Sequence, residues 1–316
     1  MQLVTYQYFD QSRTGILHKG YVIDLNRAYI TMLQHQNRTD DLVIADARVP
    51  SDMIGLLNGG RASMDAARQA AQFARDKTET INPNIYYPLD SVTLLPPVLR
   101  PGKVICLGLN YKAHAAEAGM EVPDYPILFH KVATSLIGHR QGIVMPRISD
   151  KIDFEGELAV IIGQRAKYVS EVEALSYVAG YACSNDVSAR DLQFRTTQWT
   201  TGKMLDTFCP LGPALVTADE IPDPNALAIK TTLNDEVMQN SNTGDMIFNV
   251  PFTVSYISQI VTLEPGDVIL TGTPEGIGGT RNPRVFMKAG DTISVEIEGL
   301  GTLTNPVVAE AEESEG

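Results

Sequence analysis

The chain has 316 residues, of which 44% are hydrophobic, and its formal net charge is −13. This length suffices for a sizeable buried core and suits one large domain with a small one. The acidic balance argues against a nucleic-acid partner and against a membrane-surface helix, because both would need a basic face.

Three further features concern the compartment in which the protein works. The N-terminus lacks the basic and apolar segments of a signal peptide. No apolar run approaches the ~20 residues of a membrane span. The three cysteines have no metal-type spacing, so we expect them to be reduced. Together these features predict a cytoplasmic protein without a membrane partner.

The first part of the chain predicts a small α+β module over residues 1–97. Its elements should be two strands and an amphipathic helix, at residues 3–9, 16–24 and 63–78. Ser63 is the expected N-cap of that helix. Prolines and a glycine then mark a boundary, after which we place a second domain at 98–308 and an acidic tail at 309–316.

The second domain is rich in segments of strand-forming residues. These segments are residues 103–108, 157–162, 178–184, 226–233, 268–271 and 292–297. A capping box at 170–173 predicts a helix that runs to about residue 177. Another helix is expected over residues 250–261. The chain as a whole therefore predicts the α+β class with a large share of β-structure.

Three acids lie close together between two strand-like segments: Asp153, Glu155 and Glu157. Side chains alternate between the faces of a strand, so all three should point the same way. Like charges on one face must be solvated, protonated or bridged by a cation. Because the flanking residues are apolar, solvation explains them poorly and a bound cation explains them better.

A fourth acid, Asp186, follows the end of another predicted strand. Carboxylates without a partnering histidine or cysteine favour Mg²⁺, Mn²⁺ or Ca²⁺ over zinc. Asp153 could orient a neighbouring ligand instead of binding the ion itself. The alternative is a salt-bridged strand face without a metal, whose counter-charges would be Arg147, Lys151 or Arg190.

His114 and Glu117 form a possible acid–base pair after the apolar segment 104–107. They are three residues apart, hence neighbours if this stretch is helical. A carboxylate beside an imidazole fixes its tautomer and raises its basicity, which suits a general base near neutral pH. The alternative is an exposed pair on a helix surface, which is common; the position after a strand and a glycine, where sites tend to form, strengthens the functional interpretation.

Two later segments could contact an anion. Lys203, beside Gly202, could place its ammonium over a substrate; the alternative is an ordinary surface lysine. The glycine-rich stretch 271–279 could bring backbone N–H groups and a threonine hydroxyl to a carboxylate. It is not a Walker A loop, because no Gly-Lys-Ser/Thr follows, and a plain tight turn is the alternative.

Five motifs in this order resemble the fumarylacetoacetate hydrolase superfamily. They are Asn-Tyr-x-x-His-x-x-Glu, Asp-x-Glu-x-Glu-Leu, Asn-Asp-x-Ser-Ala-Arg-Asp-x-Gln, Gly-Lys-x-x-Asp-Thr-x-Cys-Pro and Thr-Gly-Thr-Pro-x-Gly-Ile/Val-Gly. The resemblance covers about residues 98–308. The run from Gln198 to Pro213 looks most like the domain-containing-protein-2 branch and its bacterial relatives.

The resemblance implies a mixed β-sandwich roll that is usually a homodimer. It implies Mg²⁺ or Mn²⁺ held by carboxylates that match Glu155, Glu157 and Asp186. The family's catalytic dyad matches His114 and Glu117, often on a segment that orders as a lid over the substrate.

Further positions of the family concern the substrate. Gln193, Lys203 and Thr273 match residues that contact substrate or developing charge, with Lys203 as a catalytic residue. Lys131 lies where members carry a basic substrate-binding residue. The implied partner is a small oxo-carboxylate.

The implied activity is hydrolysis of a C–C bond in an acylpyruvate or related 1,3-diketo or 2-oxo acid, through a metal-stabilised enolate. The same site could decarboxylate a β-keto acid such as oxaloacetate, or act as a keto–enol tautomerase or isomerase. All three reactions share the enolate, so fold membership does not separate them. A non-catalytic protein that uses a cation for stability or ligand sensing is a different class of alternative.

Overall fold

The computed structural model describes residues 1–76 and 83–311. Its N-terminal part contains strands β1 (Gln2–Tyr8), β2 (Gln11–His18) and β3 (Tyr21–Asp24), helices α1 (Leu25–His35), α2 (Asp41–Arg48), α3 (Met53–Asn58) and α4 (Gly60–Asp76), and strands β4 (Tyr86–Pro88) and β5 (Thr93–Leu95). Helix α4 confirms the predicted helix up to residue 76. The rest of that helix and residues 312–316 of the predicted tail lie outside the described residues.

Two expectations for this part were wrong. The predicted strand at 16–24 is a hairpin, because Lys19 and Gly20 both take positive φ values of 48° and 81° and reverse the chain. Strands β2 and β3 then pair in antiparallel fashion. Ser63 is not an N-cap: α4 begins three residues earlier, and Ser63 is buried inside it.

The second part of the chain continues the numbering. It contains β6 (Val104–Gly108), α5 (Lys112–Glu117), β7 (Ile127–Lys131), β8 (Leu136–Ile137), β9 (Ile143–Met145), β10 (Ile152–Asp153), β11 (Gly156–Ile162), β12 (Val178–Asn185), β13 (Ser188–Ala189), α6 (Arg190–Gln193), α7 (Thr200–Lys203), β14 (Cys209–Thr217), β15 (Ala228–Leu233), β16 (Glu236–Asn242), α8 (Val250–Ile260), β17 (Val268–Leu270), β18 (Thr292–Ile297) and β19 (Gly301–Ala309). The predicted strands match β6, β11, β12, β15, β17 and β18 to within two residues at either end.

The capping box did not produce the helix expected after it. Ser170 Oγ donates to the Glu173 carboxylate, whereas a capping-box serine accepts from a backbone N–H, and only a 3₁₀ turn at Ala174–Tyr177 follows. Strand β12 begins directly after that turn. The second predicted helix is confirmed as α8.

The described strands form one large sheet, a five-stranded sheet and a two-stranded sheet. The large sheet has twelve strands, with the path β4-β3-β2-β1-β14-β12-β11-β17-β6-β7; β5 pairs with β1 and β8 with β14. It is mixed, since β17 and β6 are parallel and most other neighbours antiparallel. Because β1 pairs with β14, this sheet crosses the boundary placed at residue 97. The division into two domains stays a prediction.

Side chains of the large sheet pack on both of its faces. In β11, Ala159 and Ile161 belong to a core shared with helices α1–α4. Leu158 and Val160 belong to a second core, shared with α8 and the five-stranded sheet β16-β15-β18-β19-β9. This alternation produces a layered, sheet-rich structure and confirms the α+β class and the mixed β-sandwich.

All three cysteines are buried and unpaired: Cys106, Cys183 and Cys209. Burial raises the pKa of the Cys183 and Cys209 thiols to about 12, so these two remain protonated and poorly reactive. Among the helices of the described residues, none is both long and apolar enough to cross a membrane.

Candidate active site

The acidic segment does not form one continuous strand. Strand β10, which ends at Asp153, pairs with β13 in the two-stranded sheet, whereas β11 begins at Gly156 and pairs with β12 in the large sheet. Phe154 and Glu155 lie between the two strands. The alternation of faces is therefore interrupted, and the expectation that all three acids point the same way was wrong.

Asp153 is directed toward a glycine-rich loop rather than toward the other acids. Its Oδ1 accepts hydrogen bonds from the backbone N–H groups of Phe154 and Gly278, at 2.9 and 2.8 Å. Its Oδ2 accepts from Gly279 N and Arg190 Nε, both at 2.8 Å. These contacts fit a residue that positions its neighbours, which was the alternative role expected for Asp153.

The other three carboxylates converge: Glu155, Glu157 and Asp186. Each is buried and offers an oxygen, and these oxygens lie within 4.8 Å of one another. Glu157 Oε2 accepts from Gly272 N at 2.7 Å, whereas its Oε1 is buried without a hydrogen-bond partner among the described residues. Burial, then the charges of Asp186 and Glu155, raise the pKa of Glu157 well above its ordinary value. A hard divalent cation would supply the missing partner and relieve the repulsion, so these residues fit Mg²⁺ or Mn²⁺.

Two buried lysines contact this triad. Lys203 Nζ donates to Glu155 Oε2 at 2.7 Å and to Asp186 Oδ2 at 2.9 Å. Burial opposes its charge, but Asp186 and Glu155 raise the pKa of Lys203, so it is a cation. Lys131 Nζ donates to Asp186 Oδ1, Lys203 O and Val187 O. The Lys131 side chain is fully buried, and its predicted contact with substrate stays a prediction.

Arg190 is a site residue that the sequence suggested only as a counter-charge. Its Nη1 contacts Glu155 Oε1 at 2.7 Å and Gln193 Oε1 at 2.9 Å, while Nε binds Asp153. The Arg190 Nη2 atom has no hydrogen-bond partner in the described part of the chain. Burial opposes the charge of Glu155, but Lys203 and Arg190 lower its pKa, so Glu155 is ionised. The available signal was the position of Arg190 inside the Asn-Asp-x-Ser-Ala-Arg motif.

Thr273 links the glycine-rich loop to the start of β11. Its hydroxyl donates to Gly156 O at 2.9 Å and accepts from Gln239 Nε2 at 2.8 Å. Gln239 Oε1 in turn accepts from Gly156 N at 2.9 Å. The sequence did not single out Gln239, because its strand β16 carries no recognisable motif. The predicted contact between Thr273 and substrate stays a prediction.

Helix α5 carries the predicted acid–base pair. His114 Nδ1 lies 2.9 Å from Glu117 Oε1, and Glu117 Oε2 accepts from Gly276 N at 2.9 Å. Burial would raise the pKa of Glu117, but the hydrogen bonds from His114 and Gly276 lower it below its ordinary value. An ionised Glu117 accepts the proton of Nδ1, which leaves His114 Nε2 free to accept a proton.

The segment before α5 is tied to the opposite loops by Asn110. Its Nδ2 donates to Thr271 O at 2.7 Å and to Phe248 O at 2.9 Å, and its Oδ1 accepts from Phe248 N. Gly272 has a φ of 93°, and a Cβ there would lie 2.7 Å from Asn110 Cβ. A glycine is therefore required where the two segments approach, and this contact positions α5 beside the glycine-rich loop.

One cavity of about 780 Å³ connects these groups. Its lining includes His114, Glu117, Glu155, Arg190 and Gln193. Its apolar side is formed by Leu109, Met120, Phe194, Trp199, Ile277 and Phe286. The predicted acid–base pair, an ionised carboxylate of the triad and a guanidinium thus face a common space.

The role of Asp153 can be tested by replacing it with asparagine. Asp153→Asn removes a buried charge that is paired with Arg190, and it should lower the free energy of unfolding by about 3 kcal/mol. Urea denaturation measures this loss. Asp150→Asn is the matched control, because its side chain is 82% exposed and its pair with Lys151 should contribute little. Equal losses in the two variants would contradict the positioning role.

The chain is similar to known proteins along most of its length. Residues 103–308 match the family model described as fumarylacetoacetate (FAA) hydrolase C-terminal. The rat protein named oxaloacetate tautomerase Fahd2a, mitochondrial, is 45% identical over 271 residues, which cover 85% of this chain and 83% of the relative. The cytoplasmic location of this chain stays a prediction.

Two solved structures extend the similarity to the whole fold. A 2-hydroxyhepta-2,4-diene-1,7-dioate isomerase from Mycobacterium marinum has a TM-score of 0.72 and 33% identity, covering 99% of this chain and 100% of its own. A maleylpyruvate hydrolase from Sphingobium sp. SYK-6, in complex with manganese(II) and pyruvate, has a TM-score of 0.74 and 30% identity, covering 98% and 100%. The chain therefore belongs to the fumarylacetoacetate hydrolase family of enzymes, on the branch of the domain-containing proteins 2.

Proposed function

We propose that this enzyme catalyses keto–enol tautomerisation of oxaloacetate or a closely related 2-oxo acid. The sequence by itself favours hydrolysis, but the rat relative at 45% identity is named an oxaloacetate tautomerase, which supports the alternative. The observation that carries the proposal is the shared cavity, in which the His114–Glu117 pair and Glu155 of the triad face the same space. Tautomerisation needs only a proton acceptor and a means of stabilising the enolate.

In this reaction a proton leaves C3 of the substrate and a proton is added to the 2-oxo oxygen. His114 Nε2 accepts the first proton, and the ionised Glu117 stabilises the imidazolium through Nδ1–H. His114 then returns the proton to the oxygen, and the reverse sequence converts enol to ketone. The Gln193 amide, which lines the same cavity, would orient the substrate carboxylate.

A divalent cation is part of the proposal. Glu155, Glu157 and Asp186 would hold Mg²⁺ or Mn²⁺, and manganese accompanies pyruvate in the similar maleylpyruvate hydrolase. When bound, such an ion supplies Lewis-acid polarisation of a carbonyl oxygen. We further propose a small oxo-carboxylate as the substrate and a homodimer as the assembly, as the family resemblance implies.

Hydrolysis of an acylpyruvate is the second candidate. It is favoured by the structural similarity to maleylpyruvate hydrolase and by the same His114–Glu117 pair, which could take its proton from water. The resulting hydroxide would add to the distal carbonyl, the C–C bond to the pyruvate unit would break, and the departing enolate would take the proton back from His114. The two candidates differ in whether a water reaches the substrate.

Parallel assays separate the candidates. The enol absorbance of oxaloacetate should decay at least about 100-fold faster with Mg²⁺- or Mn²⁺-loaded protein than in buffer with the same metal. Total oxaloacetate should stay constant, without release of pyruvate or CO₂. Loss of oxaloacetate with CO₂ release would instead identify a decarboxylase. Cleavage of acylpyruvates without faster tautomerisation would identify a hydrolase.

A further inference from the structure

Two basic side chains at the mouth of the cavity have no part in the proton transfer. Lys151 and Arg284 are both exposed and line the active-site cavity together with Phe286. The same three residues also line a neighbouring cavity of about 630 Å³. They therefore lie on the rim between the two cavities, with Lys151 Nζ 5.6 Å from the centre of the Phe286 ring.

These two charges are available to a ligand, unlike the other guanidinium groups of the cavity. Arg190 is occupied by the carboxylates beneath it, and Arg281 donates to the backbone oxygens of Gly276 and Met238. Arg284 makes no ion pair or side-chain hydrogen bond with any residue in the described ranges. Lys151 contacts Asp150 at 3.2 Å.

That contact leaves Lys151 free to exchange partners. The Asp150 side chain is 82% exposed, and exposed ion pairs of this kind contribute little. A carboxylate of a bound ligand could therefore replace Asp150 at small cost.

Backbone hydrogen bonds connect the segments that carry both cations to the reacting end of the cavity. Met287 N donates to Ile152 O at 2.8 Å, so the segments that carry Arg284 and Lys151 are tied together. Arg190 N donates to Lys151 O at 3.0 Å, which connects the same segment to the carboxylate triad. A ligand that spans the cavity would thus meet Glu155 of the triad and His114 at one end and these two cations at its rim.

We propose that Lys151 and Arg284 bind the distal carboxylate of a 2-oxo dicarboxylate whose 2-oxo acid end lies at Glu155 and His114. This inference rests on the proposed function and concerns its substrate specificity: the enzyme should prefer a dianionic substrate over a monoanionic one. The planar guanidinium of Arg284 suits a carboxylate in a bidentate arrangement. In a chain of net charge −13, a local positive rim also attracts dianions more strongly than monoanions.

A matched pair of substrates tests the inference. Oxaloacetate and its 4-monoethyl ester share the 2-oxo acid end and differ in the charge at the distal end. The ratio of kcat/KM for the acid to kcat/KM for the ester should fall about tenfold in Arg284→Gln, mainly through KM for the acid. It should fall further in the double variant that also carries Lys151→Gln. The difference in this ratio between the wild type and the variants should shrink at high ionic strength.

Lys288→Gln is the matched control. Lys288 is exposed and lines the neighbouring cavity but not the active-site cavity. The substitution therefore removes the same charge at a different place. Its ratio should stay within about twofold of the wild type because an exposed charge outside the site acts only through the screened field. Equal effects of Arg284→Gln and Lys288→Gln would overturn the inference in favour of a general charge effect.

A binding measurement keeps this inference separable from the proposed function. Calorimetry with the Mn²⁺-loaded protein compares 2-oxoglutarate with 2-oxopentanoate, which lacks the distal carboxylate. The wild type should prefer the diacid, and Arg284→Gln should lose most of that preference. If the wild type turns over neither oxaloacetate nor its ester, the proposed function fails. The comparison of 2-oxoglutarate with 2-oxopentanoate still tests the inference in that case. No preference for the diacid, or the same preference in Arg284→Gln, would overturn it.

Discussion

Glu157→Gln is expected to lower the affinity for Mg²⁺ or Mn²⁺ by at least about 100-fold while leaving the metal-free protein as stable as the wild type. The amide keeps an oxygen for the hydrogen bond from Gly272 N but has no negative charge for a cation. It also removes a carboxyl group whose pKa is raised by burial and then by the charges of Asp186 and Glu155. Calorimetric titration measures the affinity, and urea denaturation in a chelator measures the stability.

Glu155→Gln is the informative control because its carboxylate is paired. It contacts Lys203 and Arg190 at 2.7 Å each, so its loss breaks two buried ion pairs and leaves Lys203 with Asp186 and Arg190 with Asp153 as their remaining carboxylate partners. We expect weaker metal binding together with a loss of about 3–5 kcal/mol in the free energy of unfolding. Normal metal affinity in Glu157→Gln would refute its role as a ligand. If Glu157→Gln were destabilised as much as Glu155→Gln, Glu157 would have a stabilising partner in the metal-free protein, which would contradict the account.

His114→Gln is expected to lower kcat for tautomerisation by about 1,000-fold with little change in metal affinity. Glutamine can still donate to Glu117, but it cannot accept and return a proton near neutral pH. The Nδ1 atom of His114 binds Glu117 rather than a carboxylate of the triad, so the substitution should leave the metal ligands in place. Stopped-flow decay of the enol absorbance measures kcat, and calorimetry measures the metal affinity.

Glu117→Gln provides the graded comparison for this prediction. The amide can hold the His114 ring by a hydrogen bond but cannot stabilise an imidazolium by charge, so its kcat should fall less than that of His114→Gln. A kcat within tenfold of the wild type in His114→Gln would exclude His114 as the proton acceptor. Equal losses of metal affinity and kcat would instead point to a structural effect.

Much of the fold could be predicted because strand-forming residues are contiguous in this chain. The apolar run of β11 stops before Gly163 and that of β12 at Ser184 and Asn185, so their bounds were predicted to within one residue. The hairpin at Lys19–Gly20 was missed because apolar residues continue on both sides of a two-residue turn. The pairing of β1 with β14 joins residues more than 200 positions apart, and no local pattern indicates it.

The site could be predicted in its residues but not in all their contacts. The motifs contain five of the site residues: Glu155, Glu157, Asp186, His114 and Glu117. The fold brings His114, Glu117 and Glu155 to one cavity, and Glu157 and Asp186 lie beside Glu155. Asp153 was expected on the same face because the sequence does not show that the chain changes sheets after it. Its partners Gly278 and Gly279 lie 125 and 126 residues further along, and only the folded chain shows that contact.

Manganese anomalous diffraction tests most directly whether the carboxylate triad holds a cation that faces the acid–base pair. Crystals grown with Mn²⁺ should show their strongest anomalous peak within coordination distance of Glu155, Glu157 and Asp186, on the cavity that His114 lines. A strongest peak at exposed carboxylates, with the triad contacted by Lys203 and Arg190 alone, would contradict the proposed site.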